Sequence, residues 1–172
     1  VIYANAGRRA SPSIIARNTL GQSGLWRFGI SGDLPIVLVR VGDVNGIDMV
    51  RYALQAHSYW RNKGLAADLV ILNEDFSGYR AVLQDQIMGL INAGPEALIV
   101  DRSGGVFVRR AEELSEEDRV FFQTVARVVL TGSADSMSEQ VQRRVAAERM
   151  PPPLEPTRVF AAEPLVPLRA RE

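Results

Sequence analysis

Three short, nearly unbroken apolar runs punctuate the chain, and between them apolar residues recur every three or four positions. Runs of this kind read as strands buried on both faces, and the spaced stretches as amphipathic helices. Residues 34–41 (Leu-Pro-Ile-Val-Leu-Val-Arg-Val), 68–73 and 97–101 are the predicted strands, with Pro35 tolerated beside the start of the first. Ile47, Val50, Ala53, Leu54, His57 and Trp60 predict a helix over 46–63, with Asn45 and Asp48 resembling a capping box and Gly64 a left-handed stop. Ser77 can cap a second helix carrying Tyr79, Leu83, Ile87, Leu90 and Ile91, which Gly94-Pro95 ends. After a Ser103-Gly104-Gly105 turn, Val106-Phe107-Val108 predicts a fourth short strand.

Ser115 with Asp118 begins another helix with an acidic first turn, matching the positive end of the helix dipole. Phe121, Phe122, Val125, Ala126, Val129 and Leu130 carry the pattern on to Gly132. Residues 127–130 read equally well as a strand; without a turn signal before them, the helix is favoured. Strands alternating with helices through short connections imply right-handed crossovers and a parallel sheet. The expected fold class is α/β: a small three-layer unit with a mostly parallel sheet flanked by helices, plus terminal helices and a Pro-rich tail. Residues 1–28 form the expected lead-in, 29–131 the α/β domain, 132–150 a short helix and 151–172 an extended linker.

Composition narrows the chemistry. The chain has 172 residues, 47% hydrophobic and 23% charged, which suits a globular protein. Twenty basic residues balance twenty acidic ones, so the footprint of a general nucleic-acid binder is missing. The absence of cysteine excludes disulfides, a thiol nucleophile and cysteine-ligated metal sites. No apolar run approaches the roughly 20 residues that span a bilayer. The opening Val1-Ile2-Tyr3-Ala4 has no signal-peptide pattern, so the chain reads as a soluble piece of something longer.

Candidate chemistry is sparse. In an open parallel sheet, ligands bind beyond the carboxyl ends of the strands, and Asp43, Glu74 and Asp101 are expected there as candidates for a hard cation such as magnesium. Local capping of turns is the competing use of such acids. No glycine cluster is placed for a phosphate cradle, and no cofactor is expected. Trp26, Phe28, Tyr59 and Trp60, with Asp33 or Asn73 as polar partners, are candidates for stacking on a sugar; packing into the core is the competing role of the rings. The lone His57 lies on the apolar side of its helix and reads as a packed, hydrogen-bonded side chain.

Several segments resemble, in order, a part of bacterial cyclic β-1,2-glucan synthases. These include Gln22-Ser23-Gly24-Leu25-Trp26, Gly29-Ile30-Ser31-Gly32-Asp33-Leu34-Pro35-Ile36-Val37-Leu38, Gln55-Ala56-His57-Ser58-Tyr59-Trp60-Arg61 and Asp68-Leu69-Val70-Ile71-Leu72-Asn73-Glu74. Leu83-Gln84-Asp85-Gln86, Phe107-Val108-Arg109-Arg110 and residues 125–130 continue the series, and the likeness covers about residues 1–141. The resemblance implies a large inner-membrane parent. Its glycosyltransferase part builds the glucan from UDP-glucose, and a part similar to cellobiose phosphorylases trims it by phosphorolysis. That second part pairs β-sandwich modules with an (α/α)₆ barrel, and this segment is expected between sandwiches, upstream of the barrel, at the cytoplasmic face. The catalytic acid and phosphate ligands belong to the barrel, so no residue here inherits a catalytic role. A non-catalytic connecting domain is the expected function, with a carbohydrate-binding module as the alternative and a metal-dependent enzyme third. The implied partners are the flanking modules and β-1,2-glucan.

Overall fold

The structure is a computed structural model and describes residues 5–76, 80–132 and 137–142. Among these residues four strands, β1 (Ile36–Val41), β2 (Asp68–Asn73), β3 (Val106–Arg110) and β4 (Val128–Gly132), form one sheet in the order β3-β2-β1-β4. Every pairing is parallel, with Val37 beside Leu69 and Val128, and Leu69 beside Val106. Among the described residues, five α-helices accompany them: α1 (Pro12–Ala16), α2 (Ile47–Asn62), α3 (Arg80–Asn92), α4 (Glu116–Val125) and α5 (Met137–Gln142).

Strand alternation splits the core into two clusters. Val37, Val39, Val41, Leu69 and Ile71 face α2 and α3, meeting Val50, Ala53, Leu54, Leu83, Ile87 and Ile91. Ile36, Leu38, Val70, Leu72 and Phe107 face the other way, onto Phe121 and Phe122 of α4 and onto Leu25 and Ile30 of the N-terminal segment. The sheet is thus the middle of three layers, an α/β unit as the periodicity predicts.

Two predicted elements are corrected. Residues 97–101 are not a strand: Pro95–Ile99 is a 3-10 turn, and Leu98 is 80% exposed. Proline at the first position of that turn starts helical geometry just after α3, and Val100 reaches only an isolated bridge to Val106. The place beside β2 is taken by residues 106–110 instead. Residues 115–132 are not one helix either. The Ser115–Asp118 capping box is formed as read, but α4 stops at Val125, where Ala126 turns extended (φ −62°, ψ 129°). Arg127 N–H then donates to the Ile36 carbonyl at 2.8 Å, and the β-branched run that follows pairs with β1.

Helix α2 begins differently from expectation as well. No side chain caps it at Gly46; the Asp43 carboxylate instead accepts from Asn45 N–H in the preceding 3-10 turn Val44–Gly46. The expected cap Ser77, Tyr79, the polar stretch beyond Gln142 and the Pro-rich tail lie outside the described residues.

Strand β4 is an edge, and an unpaired edge invites further strands. Gln140 of α5 covers part of it. Its side-chain carbonyl accepts from Thr131 N–H (2.9 Å) and its amide donates to the Thr131 carbonyl (2.6 Å), copying the bonding of a neighbouring strand.

Candidate functional site

Strand order reverses between β1 and β4, so the carboxyl edge there is where a doubly wound sheet holds ligands. In this chain the opening is narrow. A side-chain carbon on Gly46 would stand 2.9 Å from the Gly132 carbonyl oxygen, so the loops after β1 and β4 touch through bare backbone. The nearby acids are engaged locally. Asp43 Oδ1 accepts from Asn45 N–H at 2.8 Å. Glu74 takes the Arg40 guanidinium at 2.8 Å, and Arg40 also donates to Gln123.

Asp101 is not at this edge. Because residues 97–101 are no strand, Asp101 sits before β3, where its N–H donates to the Val106 carbonyl, and its side chain binds Arg109 at 2.9 Å. The three acids proposed for a cation are therefore not assembled around one point. Among the described residues, no group of three His, Asp or Glu side chains could hold a metal ion.

The six sugar candidates also separate. Asn73 is buried and already bonded, donating to Gln84 Oε1 and accepting from Asp75 N–H, both at 3.0 Å. Phe28 packs at a tilt against Phe122 with ring centres 4.9 Å apart, and Trp60 packs against the α2–α3 core. Tyr59 is 60% exposed on α2, on the far side of the sheet from Trp26. It borders a groove of about 440 Å³ shared with Ser58, Asn62, Pro95 and Glu96.

Trp26 and Asp33 do share one surface. Trp26, 66% exposed, lies in the 3-10 segment Gln22–Phe28, and its indole N–H reaches the Ser31 carbonyl at 3.4 Å. Gln22 donates to that same carbonyl and to Asp33 Oδ1, at 3.0 and 3.2 Å, beside a depression of about 340 Å³ that Gln22, Asp33 and Arg127 help to line. Sequence reasoning overlooked Gln22. Its place one turn before Trp26, ahead of the glycine-rich bend at 29–32, was the available signal.

No family model matches the sequence. Over 144 residues, 83% of the chain, it is 29% identical to the cyclic beta-(1,2)-glucan synthase NdvB of Rhizobium meliloti (strain 1021). The chain is similar to a segment of a cyclic β-1,2-glucan synthase. That segment is small, since the match spans 5% of the synthase's length. A match covering so much of this chain takes in all four strands of the sheet. Among the described residues, no helix is long and apolar enough to cross a membrane.

Proposed function

We propose that the chain is a non-catalytic connecting domain of a cyclic β-1,2-glucan synthase, holding the sugar-active modules of that larger polypeptide in register. The observation that carries this reading is the closed carboxyl edge, where Asp43 and Glu74 are committed to their own fold and the Gly46 and Gly132 backbones meet. In this reading the body at 29–131 is the spacer. Residues 1–28 lead in, and the helix at 132–150 and the linker at 151–172 lead out. Sandwich and barrel modules flank it, at the cytoplasmic face of the bacterial inner membrane. The test is phosphorolysis. The purified chain, given β-1,2-glucan and inorganic phosphate, releases no glucose 1-phosphate; phosphate-dependent turnover by the pure chain overturns the proposal.

The Trp26 surface supports a second reading, in which the domain also holds glucan. An exposed indole face beside Gln22 and Asp33 offers the pairing of apolar platform and fixed polar groups that sugar sites use. Titration calorimetry with linear and cyclic β-1,2-glucans should give binding heat, and Trp26→Ala should weaken it at least about tenfold, or ~1.4 kcal/mol. Heat no larger than dilution for the parent chain removes this reading and leaves the spacer intact.

A further inference from the structure

A second buried polar group lies at the other end of the sheet. His57 of α2 is fully buried, and its Nε2 stands 3.0 Å from the Ala67 carbonyl oxygen. A carbonyl only accepts, so Nε2 carries the ring proton and Nδ1 of the neutral ring is left with a lone pair. That lone pair has no hydrogen-bond partner, and neither has the buried Oε1 of Glu96, which faces it at 4.0 Å. Glu96, only 3% exposed, belongs to the turn Pro95–Ile99. Two buried acceptors are thus turned toward each other without a donor between them, a costly arrangement unless one carries a hydrogen.

We propose that His57 and Glu96 form a neutral pair in which the Glu96 carboxyl keeps its proton and donates it to Nδ1, a proton-dependent latch tying α2 to the turn Pro95–Ile99. One hydrogen satisfies both orphaned atoms, and closing the gap by about an ångström brings them to bonding distance. Burial pushes the His57 imidazole down from its ordinary range, against the opposing pull of the Ala67 carbonyl and Glu96, which favours the neutral ring that the pair requires. The other charged groups near the pair are Arg61, on the last turn of α2, and Asp68, at the start of β2. Asp68 Oδ1 accepts from Gly104 N–H at 2.7 Å, its carboxyl is pushed up by burial, and Asp33 lies near it in turn. When the latch opens, the Glu96 O–H breaks, the proton passes to bulk water, and the carboxylate turns into the groove it lines beside Tyr59 and Ser58.

The sign of the pH dependence follows from counting protons. In the unfolded chain Glu96 titrates near ~4.3 and His57 near ~6.5, so above about pH 6.5 that state holds neither proton. The fold still holds one, so stability falls as pH rises, until the fold releases it too. The chain has one histidine and no cysteine, so among groups with ordinary values the terminal amine alone titrates in this window. Melting of the 172-residue chain is measured between pH 6.5 and 9, beside Glu96→Gln, whose amide donates to Nδ1 without titrating. The parent chain should lose about 5 °C or more while Glu96→Gln stays within about 1 °C. Parallel curves overturn the latch. Ring ¹⁵N shifts of His57 in the parent chain give an independent answer should the variant fail to fold. A neutral Nε2–H ring throughout pH 5–8 supports the pair, and an ordinary titration near pH ~6.5 overturns it.

Discussion

Gly105 has no side chain because there is no room for one. Its N–H closes a turn on the Arg102 carbonyl at 2.9 Å, just before β3 starts. A side-chain carbon there would run into the Ile99 carbonyl oxygen and lie 2.8 Å from that of Arg102. Both obstacles are backbone, so rotamer changes cannot relieve them. Gly104 differs: its φ of +73° favours glycine, but the nearest atom to an added carbon, Leu34 Cδ1, is 3.6 Å away. Gly104→Ala therefore meets conformational strain of about 1–2 kcal/mol, while Gly105→Ala must move a chain segment and should cost about 3 kcal/mol or more. Thermal melting of the two variants checks the order, and a higher melting temperature for Gly105→Ala than for Gly104→Ala contradicts the packing. The sequence marks a turn at Ser103-Gly104-Gly105, but only the fold tells which glycine serves conformation and which serves space.

At the scale of elements, legibility followed the strength of the local signal. Residues 34–41 and 68–73 read as strands, and Ile36–Val41 and Asp68–Asn73 are strands, because an apolar run that long has no amphipathic face to offer a helix and fits only the middle of a sheet. Residues 97–101 carry the same kind of run over a shorter length, and there the proline at 95 prevailed. The end of α4 was missed for the opposite reason. The chain leaves the helix through Ala126 alone, with no glycine or proline to announce it, and only pairing with β1 makes 128–132 a strand. The sheet order was equally hidden, since β4 reaches its place by crossing back over the face that α4 covers. Misplacing one strand carried Asp101 to the wrong edge and with it the cation reading. Among the sugar candidates, exposure separated Trp26 from Phe28, and no spacing rule could do that. Asn73 was lost to Gln84, a partner eleven residues away.

For the whole molecule, the consequence of the layering is that neither cluster can stand without the other. Val37 and Val39 point to α2 and α3, while their chain neighbours Ile36 and Leu38 point to α4 and the N-terminal segment. Removing one layer would bare a complete face of β1 and β2 to water, so each cluster's burial depends on the same four strands. Unfolding should then be one cooperative event, of the kind small single domains show. The two tryptophans allow a direct check, because Trp60 packs against the α2–α3 side and Trp26 follows Leu25, which is buried on the α4 side. In Trp26→Phe the remaining fluorescence reports one layer, and in Trp60→Phe the other. Within each variant, the urea midpoint by fluorescence should match the midpoint by far-ultraviolet circular dichroism to within about 0.2 M, since both probes follow one transition. Comparing probes inside one variant removes the stability change that each substitution brings. A tryptophan that reports its layer melting well before the secondary structure, in either variant, would mean that the layers come apart separately. The proposed role as a single rigid spacer would then fail.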